Sequence, residues 1–407
     1  MNWKLLIVLL SAFEYGYQLV LNFVQRKSAA NPIPANVADV YDGETYTRWR
    51  KYHWENCAHI MITALIKLTL TMVLLLTDAY AAVAGFFPAG GFMQLLAVVL
   101  TNALAYALVD VGLNYYGIMV IEQKYGFNRT TIKTFVIDQI LNLLLEIGIG
   151  TGFAWVIMLT HQTVGDWMIV LFAVVVFSFM MLISFLYPFF SRIGNKFVPL
   201  EDGELKEKLT SLLSSHNYKV RAIEVMDASR RTTKLNAYFT GFGKMKTIVL
   251  YDNMLNSMTT DEIVAVFAHE LGHGLHKDVL KGQIMNLGSM LLVGVAVWLS
   301  VKFVGVYTAF GFESINYGFS MIVSTTAMSF IMPLFGILSN ARSRKAEYRA
   351  DRQAVKEGYG EALISALKKL GKENFNHLAP AKLLVVLNYS HPPLSERIEA
   401  VEQAMKQ

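Results

Sequence analysis

Residues 167–190 read WMIVLFAVVVFSFMMLISFLYPFF, a stretch without a single charged side chain. As a helix, an apolar run of about 20 residues is long enough to cross the roughly 30 Å hydrocarbon core of a bilayer. Six further runs of similar character occur in the chain, at residues 3–24, 59–87, 93–121, 136–160, 284–307 and 315–340. The sequence therefore predicts a mainly α-helical, polytopic membrane protein with seven transmembrane helices, the first five of which form a membrane domain over residues 1–190.

The overall composition supports this prediction. Of the 407 residues, 54% are hydrophobic and 16% are charged, whereas soluble domains carry roughly 25% charged residues. The net charge is +5, but no basic stripe or nucleic-acid-binding signature is present, so we expect a lipid bilayer as partner and no nucleic acid. The single cysteine, Cys57, excludes an intramolecular disulfide and a multi-cysteine metal site. The first apolar run is too long for a cleavable signal peptide and indicates a retained membrane anchor.

The charges of the connecting segments predict the orientation in the membrane. Alternate segments are basic, and these are residues 25–58, 122–135, 191–283 and 341–407. The intervening connections contain neither Lys nor Arg, and they lie near residues 88–92, 161–166 and 308–314. Because cytoplasmic loops carry the excess of basic residues, the two long polar segments, 191–283 and 341–407, are both expected on the cytoplasmic side. We interpret them as two parts of one domain, separated by the transmembrane helices of residues 284–340.

Several charged residues interrupt the apolar runs. A charge at the bilayer centre costs at least about 2.5–3.5 kcal/mol on insertion scales. Either these residues lie at the membrane surface, because the limits of the runs are imprecise, or several of them face a hydrated cavity between the helices. The sequence leaves both possibilities open for Glu14, Lys67, Asp78, Asp110, Asp138 and Glu146.

The strongest local signal is the motif HELGH at residues 269–273, in an apolar-periodic stretch that begins with a helix-capping signal. Positions i and i+4 share one face of a helix, so His269 and His273 can bind one Zn²⁺ ion. Glu270 would lie beside the metal as a general base for a bound water. The alternative is a helix with two surface histidines. Gly272 costs about 1 kcal/mol relative to alanine in a helix interior, and a close approach of another backbone or of a substrate would explain it.

A catalytic zinc site needs a third protein ligand. Position 279, where a metzincin has a further histidine, is valine, so we expect a carboxylate from another helix. The candidate is Glu347, which shares a helix face with Asp351 at the i, i+4 spacing. Glu347 could bind zinc while Asp351 accepts the N–H of a ligating imidazole. The alternative is an exposed acidic pair balanced by the neighbouring arginines, Arg344, Arg349 and Arg352.

Two further segments carry candidate site residues. Residues 234–239 (KLNAYF) alternate in polarity and residues 247–251 (TIVLY) resemble a strand, with two glycines between them, so a β-hairpin is predicted. An edge strand beside a zinc-binding helix can hold a peptide by β-augmentation, although a purely structural hairpin would have the same sequence pattern. His391 precedes two prolines and a helix that contains Arg397, which indicates either a simple turn or a catalytic histidine.

As a set, these motifs resemble the type I CAAX prenyl protease family, integral-membrane zinc metalloendopeptidases of the gluzincin type. The similarity runs from about residue 30 to residue 400. The matching segments are Tyr187-Pro188, NAYFTG at 236–241, IVLYD at 248–252, the HELGH motif, Glu347 with Asp351, His391-Pro392, and VIEQKYGFN at 120–128 followed by Thr130, Thr131 and Asp138.

The resemblance implies one catalytic Zn²⁺ ion and a barrel of seven long helices around a large water-filled chamber, which the zinc site faces. The charged residues of the apolar runs would then line this chamber. The roles that the resemblance implies are zinc ligation by His269, His273 and Glu347, catalysis by Glu270, orientation of a ligand by Asp351, substrate contact by Asn236 with the adjoining Ala237 and Tyr238, and lining of the active site by His391 and Arg397.

The expected activity is therefore hydrolysis of peptide bonds near the C-terminus of a protein or peptide substrate, which would be prenylated. Short loops and a compact tail look more bacterial than eukaryotic, which favours the bacterial inner membrane, or the endoplasmic reticulum membrane for a eukaryotic protein. Because prenylation is a eukaryotic modification, a quality-control metalloprotease acting on non-prenylated substrates is the alternative. A channel or transporter, which would contain no zinc, is a remote third possibility.

Overall fold

The protein is described by a computed structural model that covers residues 1–192, 195–230, 232–240 and 247–407. It is mainly helical, and the π-helical segment Tyr115–Glu122 continues one of the long helices. The α-helices in chain order are α1 Trp3–Ser28, α2 Gly43–Leu76, α3 Ala79–Ala84, α4 Phe92–Asn114, α5 Ile132–Val164, α6 Met168–Phe190, α7 Glu204–Ser215, α8 Asp252–Ser257, α9 Thr260–Leu275, α10 Asp278–Lys302, α11 Gly305–Ala309, α12 Tyr317–Lys356, α13 Gly360–Glu373, α14 Lys382–Asn388 and α15 Leu394–Met405.

Long apolar helices confirm that this is a polytopic membrane protein. Within the described residues, six helical segments are long and apolar enough to cross a membrane: Trp3–Ser28, Gly43–Leu76, Phe92–Glu122, Ile132–Leu186, Asp278–Lys302 and Tyr317–Lys356. The fourth of these contains both α5 and α6, which are separated at Gly165, where φ is +55°. The rings of Phe153 and Phe179 have centroids 6.1 Å apart, so α5 and α6 fold back against each other.

The helices differ from the apolar runs at their ends. The run 59–87 is divided between α2, which ends at Leu76, and the short helix α3. Asp78 lies between them with a φ of +55°, a left-handed conformation that interrupts an α-helix. The last run, 315–340, continues without a break to Lys356, because the polar residues that follow it include many good helix formers. Helix α12 therefore contains both a membrane segment and the two candidate carboxylates.

Four of the six charged residues in the apolar runs line one cavity of about 390 Å³ between the helices, and these are Glu14, Lys67, Asp110 and Glu146. Within it, the Nζ atom of Lys67 lies 2.7 Å from Oδ1 of Asp110. Asp78 instead accepts a hydrogen bond of 2.7 Å from Lys4 near the helix ends. The cavity favours the interpretation that these four residues face an internal space rather than the membrane surface.

A four-stranded sheet packs beside α9, and its strands are β1 Phe197–Pro199, β2 Ala222–Met226, β3 Ala237–Thr240 and β4 Thr247–Tyr251. The spatial order is β1-β2-β4-β3, with β3 antiparallel to β4 and β2 parallel to β4. This pairing confirms the predicted hairpin, and it makes β3 an edge strand. The two glycines between the strands, Gly241 and Gly243, lie outside the described residues.

The polar segments of the chain share one hydrophobic core, built around α9. Thr259 and Glu262 form the predicted capping box: the Thr259 hydroxyl accepts from the Glu262 N–H, and the Glu262 carboxylate accepts from the Thr259 N–H. The helix then buries its apolar face, and each fully buried aliphatic side chain contributes about 1.5–3 kcal/mol. Side chains from α7, α9, α13 and α15 meet in this core, among them Leu209, Leu212, Ile263, Phe267, Leu271, Leu363, Leu367 and Ile398.

The Glu262 carboxylate of α9 forms an ion pair with Lys369 of α13. Burial alone would raise the pKa of its carboxyl group, but hydrogen bonds from Lys369, Ser365 and the Thr259 N–H hold that pKa below its ordinary value of 4.5. The Lys369 ammonium lies 2.6 Å from the Glu262 carboxylate, and the Ser365 hydroxyl lies 2.5 Å from it. A carboxyl group with a lowered pKa in the folded state stabilises the fold above its unfolded pKa and loses this effect as the pH falls.

We predict that Glu262→Gln lowers the free energy of unfolding by about 1–2 kcal/mol at pH 7, because a charge-assisted hydrogen bond is lost. The difference from the unsubstituted protein should shrink as the pH falls through 4.5. Thermal unfolding of the detergent-solubilised protein at a series of pH values measures both effects. Glu207→Gln, at an exposed position in the first turn of α7, is the control and should change little. An equal loss at all pH values would contradict the assignment.

Candidate metal centre

Three ligand-type side chains from α9 and α12 converge at one point. His269 and His273 lie on the same face of α9, and their rings are perpendicular with centroids 4.8 Å apart. The Nε2 atoms of His269 and His273 lie 3.6 Å and 3.2 Å from the carboxylate oxygens of Glu347. The potential ligand atoms of the three residues all fall within 4.8 Å of one another. The structure thus brings together the three residues that the sequence predicts as zinc ligands.

Gly272 makes this convergence possible, because α9 and α12 nearly touch beside it. A Cβ atom at Gly272 would lie 2.9 Å from the Ala350 Cα atom and 3.0 Å from Cβ of Gln353. The nearest obstacle is backbone, which cannot move aside as a flexible side chain would. Of the two explanations for Gly272, the close approach of another backbone is the one found in the structure.

We predict that Gly272→Ala separates α9 from α12 and moves the histidines away from Glu347. Overpacking of this kind costs about 1–3 kcal/mol, so the variant should unfold at a lower temperature, retain less zinc and lose most of its peptidase activity. Metal analysis and activity measurements on purified protein check this. Gly288→Ala in α10 is the matched control, since a Cβ atom there would meet nothing within 4 Å. Full zinc occupancy in Gly272→Ala would refute the packing argument.

Asp351 orients the first histidine, and Arg397 holds Asp351. The Nδ1 atom of His269 lies 2.8 Å from Oδ1 of Asp351. Because a carboxylate only accepts, Nδ1 carries the proton and Nε2 is turned toward Glu347. Arg397 donates to both oxygens of Asp351, from Nε at 2.9 Å and from Nη2 at 2.6 Å. Its Nη1 atom also lies 3.4 Å from the Glu347 carboxylate.

Asp278 orients the second histidine in the same way, and it is not among the site residues predicted from the sequence. The Nδ1 atom of His273 lies 3.1 Å from Oδ2 of Asp278, and Arg349 donates to Oδ1 of Asp278 at 2.6 Å. Lys277, with a φ of +54°, turns the chain between α9 and α10 and brings Asp278 back toward the motif. A carboxylate shortly after the second histidine was the available signal, but helical periodicity does not extend across such a turn.

We predict that Asp278→Asn lowers the zinc affinity by about 10- to 100-fold, the usual effect of removing a partner that orients a metal ligand. Competition with a chromophoric chelator on the purified protein measures this affinity. Asp202→Asn is the matched control, because it makes the same chemical change away from the site. The Asp202 side chain is 94% exposed, and among the ion pairs of the described residues it pairs only with Lys206. Equal affinities of the two variants would show that Asp278 does not orient His273.

The chemistry of the cluster fits a divalent cation. Burial alone would lower the pKa of His273, but the carboxylates of Glu347 and Asp278 raise it to about 9. A site that stabilises a positive charge so strongly on its imidazole also attracts a metal cation. Within the described part of the chain, Oε2 of Glu347 is buried and has no hydrogen-bond partner. Two oriented imidazoles and a carboxylate are a common ligand set for catalytic zinc.

The cluster opens into a cleft of about 810 Å³. Predicted site residues that line this cleft are Asn236, Ala237, His269, Glu270, His273, Glu347, His391 and Arg397, while Asp351 lies behind His269. His391 is at the mouth, with a side chain 64% exposed and its Nε2 atom 3.4 Å from Glu347. Tyr238 differs from the others, because strand alternation turns its ring to the opposite face of the sheet, against Tyr251.

The chain is similar to known proteins over nearly its whole length. Residues 199–405 match the family described as Peptidase family M48, and residues 23–192 match the family described as CAAX prenyl protease N-terminal, five membrane helices. The "CAAX prenyl protease 1 homolog" of Oryza sativa subsp. japonica is 30% identical over 96% of this chain and 95% of its own. "CAAX prenyl protease 1" of Saccharomyces cerevisiae is 29% identical over 98% of this chain and 95% of its own. The crystal structure of S. mikatae Ste24p superposes with a TM-score of 0.90 at 27% identity, covering 99% of each chain.

A His-His-Glu cluster with Glu270 beside it, on helices joined to membrane segments, defines a membrane-embedded metallopeptidase. The chain belongs to peptidase family M48, with the N-terminal membrane domain of the CAAX prenyl proteases. The family membership agrees with the expectation from the sequence motifs. It also excludes the alternative of a channel or transporter without peptidase chemistry.

Proposed function

We propose that this metallopeptidase removes C-terminal residues from prenylated proteins or peptides at a single zinc ion held by His269, His273 and Glu347. The observation that carries the proposal is that Glu270 and these three residues share one cleft with the edge strand β3. A metal centre next to an unpaired strand edge is the arrangement needed to hold an extended peptide across a reactive centre. Relatives named as CAAX prenyl proteases support this substrate class.

The side chains of the cleft would divide the reaction between them. When bound, Zn²⁺ supplies Lewis acidity that activates water and polarises a carbonyl group. Glu270 accepts a proton from the attacking water and delivers it to the leaving amine. His391, at the mouth of the cleft, donates a hydrogen bond toward the carbonyl oxygen as negative charge develops there. Arg397 acts mainly by fixing Asp351, and Asp351 in turn fixes the imidazole of His269.

The wall of the cleft suits an aliphatic peptide that carries a lipid. Its apolar part is formed by Met254 of α8, Val266 of α9, Leu363, Leu367 and Leu370 of α13, and Phe375 just beyond α13. A prenylated substrate is anchored in the bilayer by its lipid, so an enzyme embedded in the same bilayer meets it in two dimensions. The lipid bilayer and the substrate are therefore the partners that we propose.

Seven membrane crossings are proposed, with the metal centre on the cytoplasmic side. The contact between Phe153 and Phe179 supports two antiparallel crossings by α5 and α6. Because these two helices share one of the six long apolar segments, the number of crossing helices is seven. The basic segments of the chain lie on the side of the metal centre, as the positive-inside rule requires for a cytoplasmic face. The cavity lined by Glu14 and Glu146 supports an internal chamber between these helices.

Two cellular membranes are candidates for the location of the protein. The short loops favour the bacterial inner membrane, whereas the named relatives are from eukaryotes and favour the endoplasmic reticulum. The rice relative is covered to 95% by an alignment of 404 residues. Its length is therefore close to that of this chain.

We predict that the purified protein cleaves a synthetic peptide ending in S-farnesylcysteine and three further residues, and that Glu270→Gln cleaves it about 100- to 10,000-fold more slowly. Proton transfer by a positioned general base contributes roughly 10²- to 10⁴-fold. Removal of the metal with a chelator should abolish cleavage, and added Zn²⁺ should restore it. Product analysis by mass spectrometry measures the rate and the bond that is broken.

The same peptide without its farnesyl group separates the two candidate substrate classes. Faster cleavage of the farnesylated peptide supports a prenyl protease, and equal cleavage of both supports a quality-control protease. Glu270→Gln must retain zinc, as determined by metal analysis, for its loss of activity to report on the general base. Equal activity of Glu270→Gln and the unsubstituted protein would overturn the mechanism.

A further inference from the structure

Strand β3 and the two residues before it, Leu235 and Asn236, form one edge of the sheet, which among the described residues is open along only part of its length. Asn236 accepts a hydrogen bond of 3.2 Å from the Tyr251 N–H of β4. In an antiparallel pair, backbone groups point alternately to the partner strand and away from it. The N–H and C=O groups of Leu235 and Ala237 therefore point to the free edge. Ala237 lines the cleft next to the metal centre.

The side chain of Asn374 occupies this edge at Leu235. Its Oδ1 atom accepts from the Leu235 N–H at 3.0 Å, and its Nδ2 atom donates to the Leu235 C=O at 3.2 Å. A side-chain amide thus makes the same pair of hydrogen bonds that a neighbouring strand would make. The next pair of outward groups, those of Ala237, lies about 7 Å farther along the strand, at two residues of extended chain.

The backbone around Asn374 is held firmly in this position. Phe375 has a φ of +52°, a genuine outlier for an aromatic residue. Its C=O accepts from the Trp49 indole at 3.1 Å, and its ring packs edge-on to Phe127. The Tyr41 hydroxyl donates to the C=O of Asn376 at 2.9 Å. Aromatic residues of the N-terminal half therefore fix the corner from which Asn374 reaches the strand.

We propose that Asn374 is a specificity-determining residue that limits how many substrate residues follow the scissile bond. A peptide that pairs with Ala237 in the antiparallel sense, the commoner and slightly more stable one, runs opposite to β3. Its C-terminal residues then lie toward Leu235, where Asn374 already uses the backbone groups. A short C-terminal tail fits before this point, and a longer one meets the side chain. The inference rests on the proposed function and adds a residue that limits the length of the released peptide.

The test compares two farnesylated peptides in the full-length, zinc-loaded protein. One ends three residues after the S-farnesylcysteine, and the other carries two additional alanines at its carboxyl end. We expect the unsubstituted protein to cleave the short peptide with a kcat/KM about five- to tenfold higher, the effect of one to two neutral hydrogen bonds. A peptide extended by two alanines at its amino end should be cleaved as well as the short one.

In Asn374→Ala the preference for the short tail should fall to less than about twofold, because the edge at Leu235 becomes available to the longer peptide. A serine side chain is also too short to reach both backbone groups of Leu235, so Asn374→Ser should show the same loss of preference. It replaces the alanine variant if that variant is unstable. Asn376→Ala is the matched control: Asn376 lines the same cleft, but its side chain makes no hydrogen bond to β3 among the described residues. It should keep the preference of the unsubstituted protein.

The outcomes of this test distinguish a failure of the inference from a failure of the proposed function. If the unsubstituted protein cleaves both peptides equally well, or if Asn374→Ala and Asn374→Ser retain its preference, the inference is overturned. A purely structural role of Asn374 would slow both peptides by the same factor and leave the preference unchanged. Failure of the unsubstituted protein to cleave any of the three peptides would instead overturn the proposed function.

Discussion

The contact between α9 and α12 is the constraint on which the metal centre depends. His269 and His273 lie on one helix and Glu347 on another, so the distance between the helix axes decides whether the three side chains can share an ion. At Gly272 the approach is limited by Cα of Ala350, 2.9 Å from where a Cβ atom would be. Glycine at this position costs helix stability, but it brings the third ligand within reach. The small residues on the facing side of α12, Ala346, Ala350 and Ala354, are all buried for the same reason.

Two aspartate carboxylates then hold the two histidines of the site in place. Asp351 fixes His269 and Asp278 fixes His273, and each aspartate is itself held by an arginine. This symmetry distributes the negative charge around the imidazoles, so the centre is prepared for a cation before one binds. Arg397 holds the pKa of Asp351 below its ordinary range and Arg349 holds Asp278 in place, and neither arginine contributes a ligand.

The sequence is sufficient to predict those parts of the protein that follow a local period. The apolar runs give the membrane class, and the i, i+4 spacing gives the pair of histidines and the pair Glu347 and Asp351. It is insufficient where the chain changes direction and where a contact joins distant segments that carry no motif. Asp278 follows a left-handed residue, so no period connects it to His273, and Asn374 contacts a residue 139 positions earlier. Hydropathy also ends α12 too early, because polar helix formers extend it beyond the membrane.

The continuous helix α12 connects the cavity between the membrane helices with the cleft at the metal centre. Thr326 lines the cavity between the membrane helices, and Glu347 lies on the same helix at the metal centre. A helix rises 1.5 Å per residue, so the two positions are at most about 32 Å apart. An extended chain covers that distance with about ten residues. Although Pro333 lies inside it, α12 is one continuous helix, so the fold sets the distance from this cavity to the metal centre. For the lipid-anchored substrate proposed above, this distance would set the depth at which the peptide meets the cleft.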